Sequence, residues 1–304
     1  MTSSPMVICN REQTAELLDF PALINALSIA ALEYAEQKII SPERMVVPTV
    51  GEGLMLSMPA TSADIAIHKL VNVQTANFAK GIPTIHGQVS VYDAETGIPI
   101  CLLDGPEVTG RRTAALSMLA IKTLLPTAPE EILIVGTGIQ AAYHVKAINA
   151  VHPHARVWVR GLNFADAASF CETNQAIHAE LYPTTILPED ASVVITLTTS
   201  KKPVYNEKGR AGRLIIGVGA FTPEMAEIGG ETLSSSHIYV DDPAGVRHEA
   251  GDLIQAKIDW SKIRSIAQAL QSKPDLTGPI VFKSVGSGAW DLAACRVARS
   301  KLNL

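Results

Sequence analysis

The sequence predicts an α/β chain in which a domain of alternating strands and helices, residues 123–286, interrupts a mixed α+β domain made of residues 1–122 and 287–304. Three observations lead there. Short extended runs separated by turn residues fill positions 45–104, the pattern of an antiparallel sheet. Beyond Pro126-Thr127-Ala128-Pro129 the pattern changes to apolar strands alternating with helices, which builds a parallel sheet. The first of those strands ends on the glycine-rich loop Gly136-Thr137-Gly138, at the mouth of a helix.

Composition supports two packed domains: 304 residues, 47% hydrophobic and 18% charged. A formal net charge of −5 with no basic stripe argues against a nucleic-acid partner. Cys9, Cys101, Cys171 and Cys295 stand far apart, without the clustering of a metal site, so free thiols in a reducing compartment are expected and no metal. The N-terminal stretch lacks the basic region and apolar run of a secretory signal, and no apolar run approaches the ~20 residues of a membrane span. The expected location is cytoplasmic, without a membrane partner.

In the first domain Asp19 reads as an N-cap with Pro21 in the first turn, and Leu23, Ile24, Leu27, Ala30 and Ala31 follow at helical spacing. MVVPTV (45–50) and LMLSMP (54–59) flank a turn at Gly51-Glu52-Gly53, and VSVYD (89–93) and IPICLLD (98–104) flank another at 94–97. A helix is expected from Arg112 through RTAALSMLAIKTLL, then the crossing into the second domain. There the strands are EILIVG, RVWVR, VVITLT, LIIGV, HIYV and IVFKSVG, with helices over 139–151 and about 164–181. AWDLAACRVARSKL (289–302) closes the chain as an amphipathic helix.

Gly136-Thr137-Gly138-Ile139-Gln140-Ala141 has the form G-x-G-x-x-A. Gly136 permits the tight turn, Gly138 lacks the Cβ that would block a pyrophosphate, and Ala141 lets the helix pack closely. The helix start at Ile139 and Gln140 offers free N–H groups to phosphates, so this is expected to be a Rossmann-type dinucleotide-binding domain. At the tip of the second strand no acid stands before Asp166, an absence that leaves a ribose 2′-phosphate unopposed. Arg160 could meet that phosphate and Asn163 donate to it, which favours NADPH over NADH; the alternative for Arg160 is a solvated strand end.

These segments together resemble the ornithine cyclodeaminase/mu-crystallin family, most of all its bacterial Δ1-pyrroline-2-carboxylate reductases. The resemblance rests on Lys69-Leu70-Val71, the Gly81-Ile82-Pro83 turn, residues 93–99, Thr109-Gly110-Arg111-Arg112-Thr113-Ala114-Ala115, the glycine loop and Phe282-Lys283-Ser284-Val285-Gly286. It implies a homodimer whose first domain binds substrate and carries the dimer contact. It also implies one of several activities: cyclic ketimine reduction, ornithine cyclodeamination, alanine dehydrogenase-like reductive amination, or mu-crystallin-like NADPH-dependent binding of a small molecule. The two acids of the cyclodeaminases fall on Phe221 and Leu56, which can neither accept from an ammonium group nor orient a water; Glu224 is the nearest substitute. Apolar residues there suit a hydrocarbon ring, so the expected reaction is reduction of Δ1-pyrroline-2-carboxylate or Δ1-piperideine-2-carboxylate to L-proline or L-pipecolate.

By family position Arg44, Lys69 and Arg112 form the carboxylate clamp and the catalytic set, and Phe221 lines the substrate. Arginine offers a planar fork and lysine a compact charge, while the alternative for Arg44, in Pro42-Glu43-Arg44, is a pair with Glu43 or a place facing solvent. Lys69 lies in an otherwise apolar strand, where a lysine without a function is costly. Arg112 beside Arg111 at a helix start demands a nearby anion. Thr84 and His86 match the stretch lining the nicotinamide, although His86 also reads as a hydrogen-bonded structural histidine. Thr113, Lys283 and Ser284 match cofactor-side positions. Asp291 reads as a structural partner, and His152 and His154 as solvated loop residues.

Overall fold

The computed structural model describes residues 6–303; residues 1–5, which open the stretch read for a targeting signal, and Leu304 lie outside the described residues. The chain divides into two compact units, Met1–Thr113 with Ser287–Leu304, and Ala114–Gly286.

The first unit opens with β1 (Val7–Ile8) and α1 (Arg11–Leu17), whose start is fixed by a capping box between Asn10 and Gln13. Helix α2 (Phe20–Ala35) follows, with Asp19 accepting from the Ala22 N–H at 3.0 Å and proline in the first turn. Its buried stripe is Phe20, Leu23, Ile24, Leu27, Ala30 and Ala31. The two helices together are apolar and long enough to span a membrane but bend by 71°; no single helix among the described residues is. Strands β2 (Met45–Thr49), β3 (Gly53–Thr61), β4 (Ile65–Val73), β5 (Ile85–Asp93) and β6 (Pro99–Asp104) form an antiparallel meander, and β1 joins β6 in parallel. Both expected turns are present: Gly51 and Gly97 take φ of 70° and 71°, where a side chain would be strained.

Helix α3 spans Gly105–Leu124, so it begins well before the expected start at Arg112. Asp104 accepts from the Glu107 N–H at 2.7 Å, and Pro106 sits in the first turn. The sequence Asp104-Gly105-Pro106-Glu107 therefore carried an N-cap signal that helix propensity alone did not reveal. Arg111 and Arg112 lie in the helix interior, and the argument from an exposed helix start does not hold for them. The unit division at Thr113/Ala114 falls inside α3, ahead of the expected boundary at 122/123.

The second unit holds an eight-stranded, wholly parallel sheet. Its elements are β7 (Glu131–Val135), α4 (Ile139–Val151), β8 (Arg156–Arg160), α5 (Phe164–Asn174), β9 (Leu181–Pro183), β10 (Val193–Thr196), β11 (Leu214–Gly217), α6 (Gly230–Ser234), β12 (His237–Val240), α7 (Val246–Glu249), α8 (Gly251–Gln255), β13 (Arg264–Ser265), α9 (Ile266–Gln271) and β14 (Ile280–Lys283). The order across the sheet is β13-β12-β14-β11-β10-β7-β8-β9. Central strands β10, β11 and β14 are buried along their whole length, as continuous apolar runs in a covered parallel sheet must be. Helix α5 stops at Asn174 rather than near 181, because Leu181 to Pro183 pair with β8 as an edge strand. The chain then returns to the first unit with α10 (Gly288–Leu302), which packs on α2, β3 and β4.

In the second unit His144 of α4 is fully enclosed. Its Nδ1 donates to the Gln140 carbonyl at 2.8 Å, so Nε2 accepts from the Ser117 hydroxyl at 2.9 Å. Burial pushes its pKa down from 6.5 to about 4. The unfolded histidine takes up a proton near pH 6.5 and the folded one near 4, so this contribution to stability is complete above 6.5 and is lost as pH falls towards 4. At pH 5 the loss should be about 2 kcal/mol. Urea titrations at pH 7.5 and 5.0 should show a smaller acid loss in His144→Gln than in the parent protein.

Candidate functional site

In the first unit the site grows from strand alternation. Residues Ile65, Ile67, Lys69 and Val71 of β4 are the buried set, so Lys69 occupies a position that its neighbours fill with aliphatic carbon. Directly opposite on β3 and β5 stand Met58 and Val89, also buried. The charge is answered from α10: Asp291, wholly buried in its first turn, lies 2.6 Å from the Lys69 ammonium. The other oxygen of Asp291 accepts from Arg112 Nε of α3 at 3.1 Å. Arg44, in the segment before β2, is near enough for its charge to act on Lys69. Burial is the largest influence on Lys69 and lowers its pKa to about 8; Asp291 opposes the fall, while Arg112 and Arg44 add to it.

The structure thus brings Lys69 and Arg112 together on a single acid, a surplus of positive charge in an enclosed place, with Arg44 near enough to act on Lys69. Such a cluster is costly unless an anion joins it. Asp291, read from the sequence as a structural partner, touches two of these cations, Lys69 and Arg112.

The second unit carries the glycine loop. Gly136 adopts φ 125°, and a Cβ there would lie 2.7 Å from the Leu197 carbonyl oxygen, so only glycine fits. Its N–H donates to the Arg160 carbonyl at 2.8 Å, which holds the tip of β8 beside the loop. Gly138 is the N-cap of α4 with no side-chain cap, and a Cβ added there would meet nothing within 4 Å. The backbone at Ile139 and Gln140 opens the helix behind it, and Ala141 is buried against the sheet. Open space before an uncapped helix start is what a dinucleotide pyrophosphate requires, so the residues fit this group. Gly138→Ala should cost the fold on the order of 1 kcal/mol. It should weaken binding of a nicotinamide dinucleotide by about 10- to 100-fold, the equivalent of one or two charge-assisted hydrogen bonds. Fluorescence titration against thermal unfolding separates the two effects.

Other residues find local partners. Half-buried Arg160 donates from Nη2 to the Val204 carbonyl at 2.5 Å. Asn163 caps α5, accepting from the Asp166 N–H and donating to its carboxylate, both at 2.9 Å. His86 bonds its own turn through the Pro83 carbonyl at 2.9 Å, and Thr84 lies in that turn. Thr113 is buried. Lys283 does not reach an open surface: it is fully buried at 2.8 Å from Asp252. Ser284 donates to Asp241 at 2.8 Å, and the same carboxylate accepts from the Val285 and Gly286 N–H groups. Phe221 is partly exposed and Leu56 half-buried.

Sequence reading missed three buried acids that gather the loops at the carboxyl ends of the parallel strands. Glu227 accepts from Thr198 N and Oγ1 at 2.5 and 2.9 Å, and from Gly219 N and Ala220 N at 2.5 and 3.1 Å. Asp252 accepts from the Glu227 and Ile228 N–H groups, and Asp241 serves the Ser284 loop. In open parallel sheets ligands bind outside these strand ends. The isolated acids carried no spacing pattern by which to find them.

The sequence pattern of the Ornithine cyclodeaminase/mu-crystallin family matches residues 5–303. Delta(1)-pyrroline-2-carboxylate reductase 2 of Burkholderia ambifaria is 53% identical over 96% of this chain and 94% of its own length. The Delta(1)-pyrroline-2-carboxylate/Delta(1)-piperideine-2-carboxylate reductase of Azospirillum brasilense is 52% identical over 98% of this chain and 97% of its own. Among solved structures, Thermococcus litoralis Delta(1)-pyrroline-2-carboxylate reductase in complex with NADH and L-proline matches with a TM-score of 0.87 and 25% identity, covering 98% of each chain.

Proposed function

The chain belongs to the ornithine cyclodeaminase/mu-crystallin family, and on that premise we propose that it is a nicotinamide-dependent reductase of cyclic ketimines, converting Δ1-pyrroline-2-carboxylate to L-proline and Δ1-piperideine-2-carboxylate to L-pipecolate. The observation that carries the reading is the enclosed surplus of cations, Lys69 and Arg112 on one acid with Arg44 near them. It matches an α-imino carboxylate, and relatives 52–53% identical act on these imines by name.

When bound, the reduced dinucleotide supplies the hydride that goes to the imine carbon, while one proton goes to the ring nitrogen, so that C=N becomes CH–NH. Arg112 and Lys69 hold the substrate carboxylate, with Arg44 closing the clamp, and this fixes which face of the ring is presented. With a pKa of about 8, the Lys69 ammonium is also suited to hydrogen-bond the ring nitrogen or pass a proton to it. Phe221 and Leu56 are apolar at the two positions where a cyclodeaminase needs acids. The loop from Gly136 to Ala141 receives the pyrophosphate. NADPH is the preferred donor in this reading, with Arg160 and Asn163 turning from their local partners to the 2′-phosphate.

The active form is a homodimer joined through the first unit. Met45, Val46 and Val50 at the open β2 edge expose apolar side chains, which supports that contact. A cytoplasmic location is supported by Cys9, Cys101, Cys171 and Cys295, all free thiols.

The test is loss of the reduced-nicotinamide absorbance with each imine and each of NADPH and NADH. Turnover of pyrroline-2-carboxylate is expected, faster with NADPH. Failure of both imines with both donors overturns the reading.

A further inference from the structure

We propose that Asp291 is the positioning residue of the cation cluster, taking one donor from Lys69 and one from Arg112 so that their remaining donors turn together towards a ligand carboxylate. The inference rests on the ketimine-reductase reading and adds to it a residue that touches no substrate. Two observations carry it.

The first is which atoms Asp291 uses. Its Oδ1 takes the Nε edge of Arg112 at 3.1 Å, and its Oδ2 lies 2.6 Å from Lys69 Nζ. The terminal nitrogens of Arg112 make no hydrogen bond to a described residue, so the forked end of the guanidinium is left for a bidentate partner. Lys69 likewise keeps two of its three donors. A carboxylate bound to both side chains from the inside fixes each rotamer, and the free donors cannot wander.

The second is that packing does not explain the triad. Lys69 stands in a row with Ile65, Ile67 and Val71, facing Met58 and Val89, where an aliphatic side chain would fill the space. Buried ion clusters are commonly no more stable than well-packed apolar replacements. The charges also do not balance: the groups facing Lys69 are Asp291 and the Cys295 thiol from α10, Arg112 from α3, and Arg44 ahead of β2. Asp291 carries one negative charge against the two cations it touches, Lys69 and Arg112, which leaves a charge for a ligand to complete. The same acid opposes the burial and the cations that draw the proton off Lys69, so the ammonium persists near neutrality because Asp291 is there.

The experiment compares the parent protein with Asp291→Asn and Asp291→Glu in the full chain. It records kcat/KM for pyrroline-2-carboxylate against pH, and the affinity for pyrrole-2-carboxylate, a planar carboxylate that needs no turnover, over the same range. In the parent protein both should fall above pH about 8 as Lys69 loses its proton. In Asp291→Asn, kcat/KM should drop by about 100-fold at pH 7.5, the loss of fixed geometry around two donors. The alkaline limb of both curves should also move by at least about one pH unit towards acid. Asp291→Glu should restore the limb but not the full rate, because the charge returns at a different reach. A limb that stays in place in both variants, or a rate within about threefold of the parent in Asp291→Asn, overturns the proposal. If Asp291→Asn does not fold, the rate in Asp291→Glu decides: a kcat/KM within about threefold of the parent overturns the proposal. Failure of the parent protein to reduce either imine would reject the reaction instead, and the pyrrole-2-carboxylate curves would still judge Asp291.

Discussion

Lys69→Met is expected to lower kcat/KM for Δ1-pyrroline-2-carboxylate by on the order of a thousandfold, equivalent to about 4 kcal/mol. Two losses combine. The substrate carboxylate loses a charge-assisted bond, and the balance of the cluster reverses its effect. With Lys69 present, two cations share Asp291 and retain a net positive charge; without it, Arg112 and Asp291 neutralise each other. The incoming carboxylate then approaches a carboxylate 0% exposed to screening water. Methionine fits the row of Ile65, Ile67 and Val71, and Asp291 keeps Arg112, so the chain should fold with less than the roughly 3–5 kcal/mol cost of a fully broken buried pair. Kinetics with both imines, thermal unfolding and an NADPH titration separate the outcomes. The nicotinamide dinucleotide should still bind, since the glycine loop belongs to the other unit. A decrease below about tenfold would remove Lys69 from the carboxylate clamp.

What the sequence made legible follows from which signals are local. Asp19 with Pro21, the Gly51 and Gly97 turns and the strand–glycine–helix junction at Gly136 all depend on residues within a few positions, and the structure contains each of them. The α3 start was misplaced because helix propensity begins at Arg112, whereas the capping contact between Asp104 and the Glu107 N–H comes earlier. Short strands such as β9 and β13 carry too few residues for a period. In the site, Lys69 was conspicuous as a charge in an apolar strand. Asp291 was not, because its partner Lys69 is far away in sequence and meets it only when α10 packs on β4. Lys283 shows the converse. Its motif, Phe282-Lys283-Ser284, pointed to a cofactor contact, yet the side chain is fully buried and pairs with Asp252 of α8. A motif fixes the residue type and leaves the direction of the side chain open.

Lys283→Met is therefore expected to act on the fold of the second unit. The pair with Asp252 is fully buried on both sides, and removing one partner should cost about 3–5 kcal/mol. For a domain of this size that lowers Tm by roughly 10 °C. The loss should depend on pH in a defined sense. Burial already raises the Glu227 pKa and Asp252 adds to the rise, while the Lys283 charge opposes both. With the lysine gone, the folded pKa of Glu227 climbs further above its unfolded value. A group raised in this way contributes stability below its unfolded pKa and loses it as pH rises through the folded pKa. The variant should be weakest relative to the parent at neutral and alkaline pH and recover part of the gap as pH falls towards 5. Lys283→Met with Asp252→Asn should recover stability at neutral pH as well: asparagine keeps the oxygen that accepts from the Glu227 and Ile228 N–H groups while removing the uncompensated charge. Thermal unfolding of the single and double variants at pH 5.5 and 8.0 makes the comparison. A single variant that matches the parent in Tm at both pH values, but binds NADPH poorly, would return Lys283 to the cofactor.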